Sequence, residues 1–266
     1  MKRALAVVTV AVLLLAGCTR DERTSSGDST GVTGTITVLA AASLTESFQR
    51  IGADFEAANP GSKVVLSFGG SSTLAQQINS GAPADVFAAA SPSTMKTVID
   101  AGNGAGSPVV FVRNQLVIAV EKGNPQGITG LADLTKPGVM VALCAEQVPC
   151  GSAAKTALTA AGVSLTPVTL EQDVKQALSK VSLGEVDAAL VYRTDARAAA
   201  ATVDAVEFPE SAKAINDYPI VVLKDAPNKA GAEAFVAYVR SAEGLAVLTA
   251  AGFQTPEDNR ETVHSG

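Results

Sequence analysis

Strands that end on small, hydroxyl- or amide-rich residues and pass at once into helices recur along this chain, and that alternation restricts its fold more than any other feature. Three junctions stand out: Val38-Leu39-Ala40-Ala41-Ala42-Ser43-Leu44, Leu66-Ser67-Phe68-Gly69-Gly70-Ser71-Ser72-Thr73-Leu74 and Gln147-Val148-Pro149-Cys150-Gly151-Ser152-Ala153. Strand, helix, strand in succession gives a sheet with parallel neighbours covered by helices. Ligands of such sheets sit beyond the carboxyl ends of the strands, where these junctions lie. A helix start carries N–H groups with no acceptor inside the helix and a partial positive charge. Several starts aimed at one point make a nest for an anion.

Around the junctions the periodicity predicts a βαβαβα run. Strands fall over 35–39, 63–68 and 85–88; helices fall over 44–58 and 73–80 and open again at Ser91-Pro92. Leu44, Phe48, Ile51 and Phe55 recur at helical spacing, and Asn59-Pro60-Gly61 stops that helix. A second series follows: strands over 116–120 and 139–143, helices over 152–161 and 173–183, a strand over 186–192 and a helix from Thr194. A buried strand over 218–223 and two helices over 229–251, joined near Gly244, close the chain. Two α/β series linked by two extended strands predict two lobes crossed twice. Residues 35–114 with 222–258 form the first and 115–221 the second, each a mostly parallel sheet flanked by helices. The two crossover strands then act as a hinge.

The N-terminus sets the compartment. Lys2 and Arg3 precede an apolar run over 4–15, and Leu15-Ala16-Gly17-Cys18 closes it with small residues, so residues 1–17 read as a secretory signal. The run is shorter than the roughly 20 residues a bilayer-spanning helix needs. A cysteine in this place resembles the lipobox of bacterial lipoproteins, which implies acylation of Cys18 and attachment to the extracytoplasmic face of the cell membrane. Residues 18–34 are polar and rich in Gly and Ser and read as a flexible tether, and 259–266 as a polar tail. Without Lys2 and Arg3 the formal charge moves from −6 to −8. An acidic chain that binds an anion relies on local dipoles, because its overall field is screened within about 8 Å at physiological salt. Acidity without a Lys/Arg cluster also argues against nucleic acid as a partner.

Several residues carry a plain structural reading beside the functional one. Ser43-Leu44-Thr45-Glu46 and Thr73-Leu74-Ala75-Gln76 both fit capping boxes, which would make Ser43 an ordinary helix cap. Ser71 and Ser72 precede the expected cap and follow two glycines, a surplus of donors that capping does not require. Asp85 reads as a loop residue, Glu46 as a capping partner and Asp187 as structural. The only histidine, His264, lies in the tail, so no serine–histidine dyad forms in the body. A lysine-assisted serine hydrolase stays open on sequence grounds, as does an adhesion protein.

Six ordered motifs add a specific resemblance. They are Ala40-Ala41-Ala42-Ser43-Leu44, Gly70-Ser71-Ser72-Thr73-Leu74-Ala75-Gln76-Gln77-Ile78, Gly81-Ala82-Pro83-Ala84-Asp85-Val86-Phe87, Val148-Pro149-Cys150-Gly151, Glu171-Gln172-Asp173-Val174-Lys175-Gln176-Ala177-Leu178 and Leu190-Val191-Tyr192-Arg193-Thr194-Asp195-Ala196, within a similarity that runs in order from about Thr35 to Phe253. Together they resemble the molybdate-binding proteins that feed an ABC importer. The resemblance implies a two-lobed, type II periplasmic-binding-protein-like fold, no catalysis, no cofactor, a monomer, and molybdate or tungstate as ligand. Its partners would be that oxyanion and a membrane ABC permease; sulfate or another tetrahedral oxyanion is the alternative. It implies oxyanion contacts from the hydroxyl and N–H groups of Ser43 and Ser71, the backbone N–H of Cys150 and Val174, and the phenol of Tyr192. Ser152 and Asp173 are the expected caps of the helices beside Cys150 and Val174. Cys144 lies six residues before Cys150, and in an oxidising compartment the pair is expected to close a short disulfide loop; with no histidine near, a metal site is the weaker reading.

Overall fold

The computed structural model describes residues 31–256. The signal, most of the tether, Cys18, His264 and the tail at 259–266 lie outside the described residues. In chain order the elements are β1 (Gly34–Ala41), α1 (Thr45–Ala58), β2 (Ser62–Gly69), α2 (Ser71–Asn79), β3 (Val86–Ala88), α3 (Pro92–Asp100), β4 (Val109–Asn114), β5 (Leu116–Glu121), β6 (Val141–Cys144), α4 (Pro149–Ala161), β7 (Thr169–Glu171), α5 (Val174–Ser182), β8 (Ala188–Tyr192), α6 (Arg193–Ala198), β9 (Val203–Val206), β10 (Asn216–Val222), α7 (Lys229–Val239) and α8 (Ala242–Ala251). Among them β4, β7 and β9 have no counterpart in the sequence expectation. They are short and partly exposed, and β7 holds only three residues.

Two five-stranded sheets result, ordered β2-β1-β3-β10-β4 and β7-β6-β8-β5-β9. Both are mixed rather than mostly parallel. The βαβ units β1–β2 and β1–β3 are parallel, as are β6–β7 and β6–β8, while β10 and β5, on which the chain enters from the other sheet, run antiparallel to their neighbours. The outward crossing takes one residue, Gln115, between β4 and β5. The return lies between β9 and Asn216, because β10 pairs with β3 and β4. The strand over 216–221 therefore belongs to the first sheet, not the second lobe as expected.

Alternation along β1 and β3 explains the layering. Ile36, Val38, Ala40, Val86 and Ala88 join α1, α7 and α8 in the main apolar cluster, whereas Leu39 and Phe87 face α2 and α3 with Leu74, Ile78, Met95 and Val98. On the first face, Phe48, Phe55 and Phe235 meet edge to face at centroid distances of 5.4–6.1 Å. The second sheet's Leu116 to Val120 and Ala188 to Tyr192 are buried on both sides, as strands sandwiched between helices must be. No described helix alone is long and apolar enough to cross a membrane. The α7–α8 break falls at Arg240–Ser241 rather than at Gly244, because Ser241 caps α8 by accepting the Gly244 N–H at 3.3 Å.

Candidate functional site

The cavity lies where the two sheets' carboxyl-edge loops face each other. Ser43, Gly70, Ser71 and Ala90 come to its wall from the first sheet's side; Val148, Pro149, Cys150, Asp173, Val174 and Tyr192 come from the second. About 220 Å³ of space, mouth included, lies between them. All five residues expected from sequence to contact an oxyanion stand on this one wall. No Lys or Arg does.

Each position follows from a local cause. Two glycines end β2, and Gly70 sits so close to the facing loop that a Cβ there would collide with the Gln172 carbonyl oxygen. That approach lets the α2 start meet the α5 start. Helix α2 begins at Ser71, two residues before the expected Thr73, so Thr73 is inside the first turn and the expected capping box is absent. Ser71 Oγ instead accepts the Ala90 N–H at 3.0 Å. The other capping box is absent too. Ser43 lies in a short 3-10 turn ahead of α1, and its Oγ meets Tyr218 Oη at 2.8 Å, a partner 175 residues away. Glu46 reaches across to Lys175 Nζ on α5, at 2.7 and 2.9 Å, instead of closing a box.

Helix α4 starts at Pro149, three residues before the expected Ser152, with proline at its first position and no side-chain cap. Cys150 therefore falls in the first turn, where N–H groups lack intrahelical acceptors. Its Sγ is bonded to Cys144 Sγ, Cα–Cα 5.7 Å, closing the loop under the helix start. Gly151 has no room for a Cβ against the Ala145 carbonyl, so this loop needs glycine there. Asp173 does cap α5: Oδ1 accepts the Gln176 N–H at 3.0 Å and Oδ2 accepts Gln176 Nε2 at 2.9 Å. Val174 follows as the first helical residue.

Tyr192 ends β8 fully buried, its Oη accepting from Asn216 Nδ2 at 2.6 Å. Its ring packs edge-on against Tyr218 at 5.9 Å. Burial, reinforced by the charge of Asp195, pushes the Tyr192 phenol far upward, and burial does the same to Tyr218; both stay protonated donors. Behind them Asp195 is wholly buried, and burial raises it to about 6 against the pull of Lys175. Lys175 Nζ lies 3.2 Å from Asp195 Oδ1 as an ion pair, although neither carboxylate oxygen has an aligned hydrogen bond.

Asp85 is buried and accepts the N–H groups of Thr37 at 2.7 Å and Asn228 at 2.6 Å, tying β1 to the start of α7. Asp187 accepts from Met140 N and Gln126 Nε2. Both roles are structural. Asn216, Tyr218 and Asn114, which stand directly behind the cavity, went unread in the sequence. The available signal was a pair of polar residues, Asn216 and Tyr218, spaced to share one face of an otherwise apolar strand.

A wall of helix starts and hydroxyls, shared by two α/β halves and free of cationic side chains among the described residues, defines the class: a two-lobed solute-binding protein of the periplasmic-binding-protein fold. The chain belongs to the bacterial extracellular solute-binding proteins, whose family model matches residues 36–254. It is 44% identical over 247 residues to the molybdate-binding protein ModA of Mycobacterium tuberculosis, covering 93% of this chain and 94% of that one. Among solved structures, the periplasmic molybdate-binding protein of Azotobacter vinelandii superposes with TM-score 0.73 at 24% identity, over 84% of this chain and all of that one. The sulfate-binding protein SubI of M. tuberculosis superposes with TM-score 0.71 at 20% identity, over 84% and 87%. Binders of two different anions thus share this fold, so the fold by itself does not choose the ion.

Proposed function

We propose that this protein captures molybdate, and with it tungstate, outside the cell and delivers it to the permease of an ABC importer. Ser43, Ser71 and Tyr192 would supply hydroxyl donors, and Ser43, Ser71, Cys150 and Val174 backbone N–H donors. The observation that carries the reading is a wall of helix starts, all but that of α5 without a side-chain cap, and hydroxyls, with no cationic side chain among the described residues. A dianion held by fixed neutral donors exchanges its water for hydrogen bonds of about 1.5–3 kcal/mol each, since one partner is charged. About six such bonds replace the lost hydration.

Such a wall selects by proton count and size. Backbone N–H groups cannot accept, so an oxyanion that keeps a proton at neutral pH, such as hydrogen phosphate, has nowhere to place it. Sulfate carries no proton but is smaller, and donors spaced for a larger ion hold it loosely. The 44% identity to a molybdate binder over 93% of the chain, against 26% over 94% to the sulfate-binding protein of Synechococcus elongatus, favours molybdate over sulfate. Closure of the two lobes on the crossings near Gln115 and ahead of Asn216 would bring the halves of the wall together. The contacts Ser72 Oγ to Gln147 O at 2.6 Å and Lys175 to Glu46 join the two sides of the mouth and suit a closed form. Lipid attachment at Cys18 would hold a monomer at the membrane beside its permease. Membership of a solute-binding family supports binding over the hydrolase reading, and among the described residues no lysine lines the cavity.

A thermal-melt panel on the mature chain tests this. An anion at 100 times its dissociation constant adds about 2.7 kcal/mol of stability. Protection by molybdate and tungstate, with none from phosphate and little from sulfate, is the expected pattern. Equal or greater protection by sulfate reverses the choice of ion.

A further inference from the structure

The cavity's hydroxyls are backed by a second layer in which the direction of the hydrogen bonds is set by the groups at its ends. Asn216, first residue of β10, holds Nδ2 2.8 Å from Ala90 O and 3.4 Å from Pro149 O. Carbonyl oxygens only accept, so the atom facing them is the amide nitrogen, and the amide has no alternative orientation. The same nitrogen lies 2.6 Å from Tyr192 Oη and donates to it. On the other side, Asn114 Oδ1 accepts the Gln115 N–H at 3.0 Å. That turns Asn114 Nδ2 towards Thr194 Oγ1 at 2.8 Å and Tyr218 Oη at 3.5 Å. Tyr218 Oη in turn meets Ser43 Oγ at 2.8 Å.

A hydroxyl has one proton to give. Tyr192 receives from Asn216, so its own proton is left for the cavity or for the neighbouring Tyr218 hydroxyl. Tyr218 receives from Asn114, and in the contact with Ser43, where either hydroxyl is able to donate, the file we assign has Tyr218 giving to Ser43. Ser43, having received, has its proton left for the cavity. The file runs from buried amides to the cavity, and each bond polarises the next. No carboxylate reverses it: both oxygens of Asp173, the one acid on the wall, face Gln176, and Asp195 accepts no aligned hydrogen bond.

We propose that Asn216, and Asn114 acting through Tyr218, are specificity-determining positioning residues that hold the Tyr192 and Ser43 hydroxyls as donors only. The cavity then rejects an oxyanion that must itself donate a proton. Backbone N–H groups cannot accept in any case, but a serine or tyrosine hydroxyl can; a donor placed on one of its lone pairs from behind turns the hydroxyl proton towards the cavity. The inference rests on the oxyanion reading above and names what enforces it.

Tyr218→Phe and Asn216→Ala in the mature chain test it, with molybdate, sulfate and hydrogen phosphate measured by calorimetry or competition. In each variant one cavity hydroxyl becomes free to accept. Molybdate binding is expected to weaken about tenfold. The preference for molybdate over hydrogen phosphate should fall about tenfold or more, while the preference over sulfate, which has no proton, changes by less than about twofold. Parallel weakening of all three anions makes the residues merely structural and overturns the inference. A sulfate preference that falls with the phosphate one points to a loosened cavity and overturns it as well. A wild-type chain that binds none of the three removes the oxyanion reading and the inference together. A wild-type chain that prefers sulfate changes only the ligand, and the phosphate-to-sulfate ratio in the variants still decides the inference.

Discussion

The helices of this protein begin in two ways. Away from the cavity, α7 and α8 start on a side chain that covers their own first turn: Asn228 Oδ1 accepts Gly231 N at 3.0 Å, and Ser241 Oγ accepts Gly244 N; α3, beside the lining residue Ala90, is capped too, with Ser91 Oγ accepting Thr94 N at 3.3 Å. At the cavity, α1, α2, α4 and α6 start without a side-chain cap, at or beside the lining residues Ser43, Gly70, Val148 and Tyr192. Helix α5 stands between, since Asp173 covers Gln176 N and leaves the Val174 N–H at the wall. A capped start has spent its amides on itself, and an uncapped one keeps them for a ligand. The contrast separates scaffold from site within a single kind of structural element.

Gly70→Ala should break the contrast most. The added Cβ meets the Gln172 carbonyl, the two helix starts can no longer approach, and molybdate affinity is expected to fall by at least ~100-fold, or ~2.7 kcal/mol, by isothermal titration. The protein should still fold, because the strain appears where the halves meet. Ser71→Ala comes next. It removes a hydroxyl from the wall and the acceptor of the Ala90 N–H, and loss of one charge-assisted bond costs ~1.5–3 kcal/mol, about 10- to 150-fold in Kd.

Reduction of Cys144–Cys150, or Cys144→Ser, sharpens the comparison by loosening an uncapped start without touching a donor. Closing so small a loop contributes roughly 2 kcal/mol. Scanning calorimetry should show a drop in Tm of about 4–8 °C for a chain of this size. Ser241→Ala has the smallest effect. Loss of a cap costs ~1 kcal/mol, or about 2–4 °C in Tm, with molybdate affinity unchanged. An altered affinity in that variant would erase the distinction between scaffold and site helices.

Much of the fold is legible in the residues because its signals are local. The apolar spacing of Leu44, Phe48, Ile51 and Phe55 specifies α1, and the buried runs at Leu116 and Tyr218 specify strands that no solvated loop would carry. Part of the candidate wall is legible in the same way, since Ser43, Ser71 and Cys150 sit at strand-to-helix junctions; Val174 and Tyr192 are legible only through the family resemblance. What misled was also local. Ser43 and Thr73 match capping boxes in spacing, yet their helices start elsewhere, and the serine's partner is a tyrosine on a strand from the far end of the chain. Asn114 and Asn216 gave no sign because the partners of their side-chain nitrogens lie 24 to 126 positions away.

The residues alone specify the long helices and the buried strands, the small residues that leave helix starts open, and the two cysteines close enough to join, because propensity, periodicity and short spacing act over a few residues; the short, partly exposed β4, β7 and β9 escape them. Only the tertiary structure decided that β10 returns to the first sheet and that helices begin two or three residues earlier than their best caps. It alone brought Tyr192 against Asn216 and Ser43 against Tyr218. Those outcomes depend on burial and on partners brought together from distant parts of the chain, and a buried polar group takes the partner that packing delivers rather than the one its neighbours suggest.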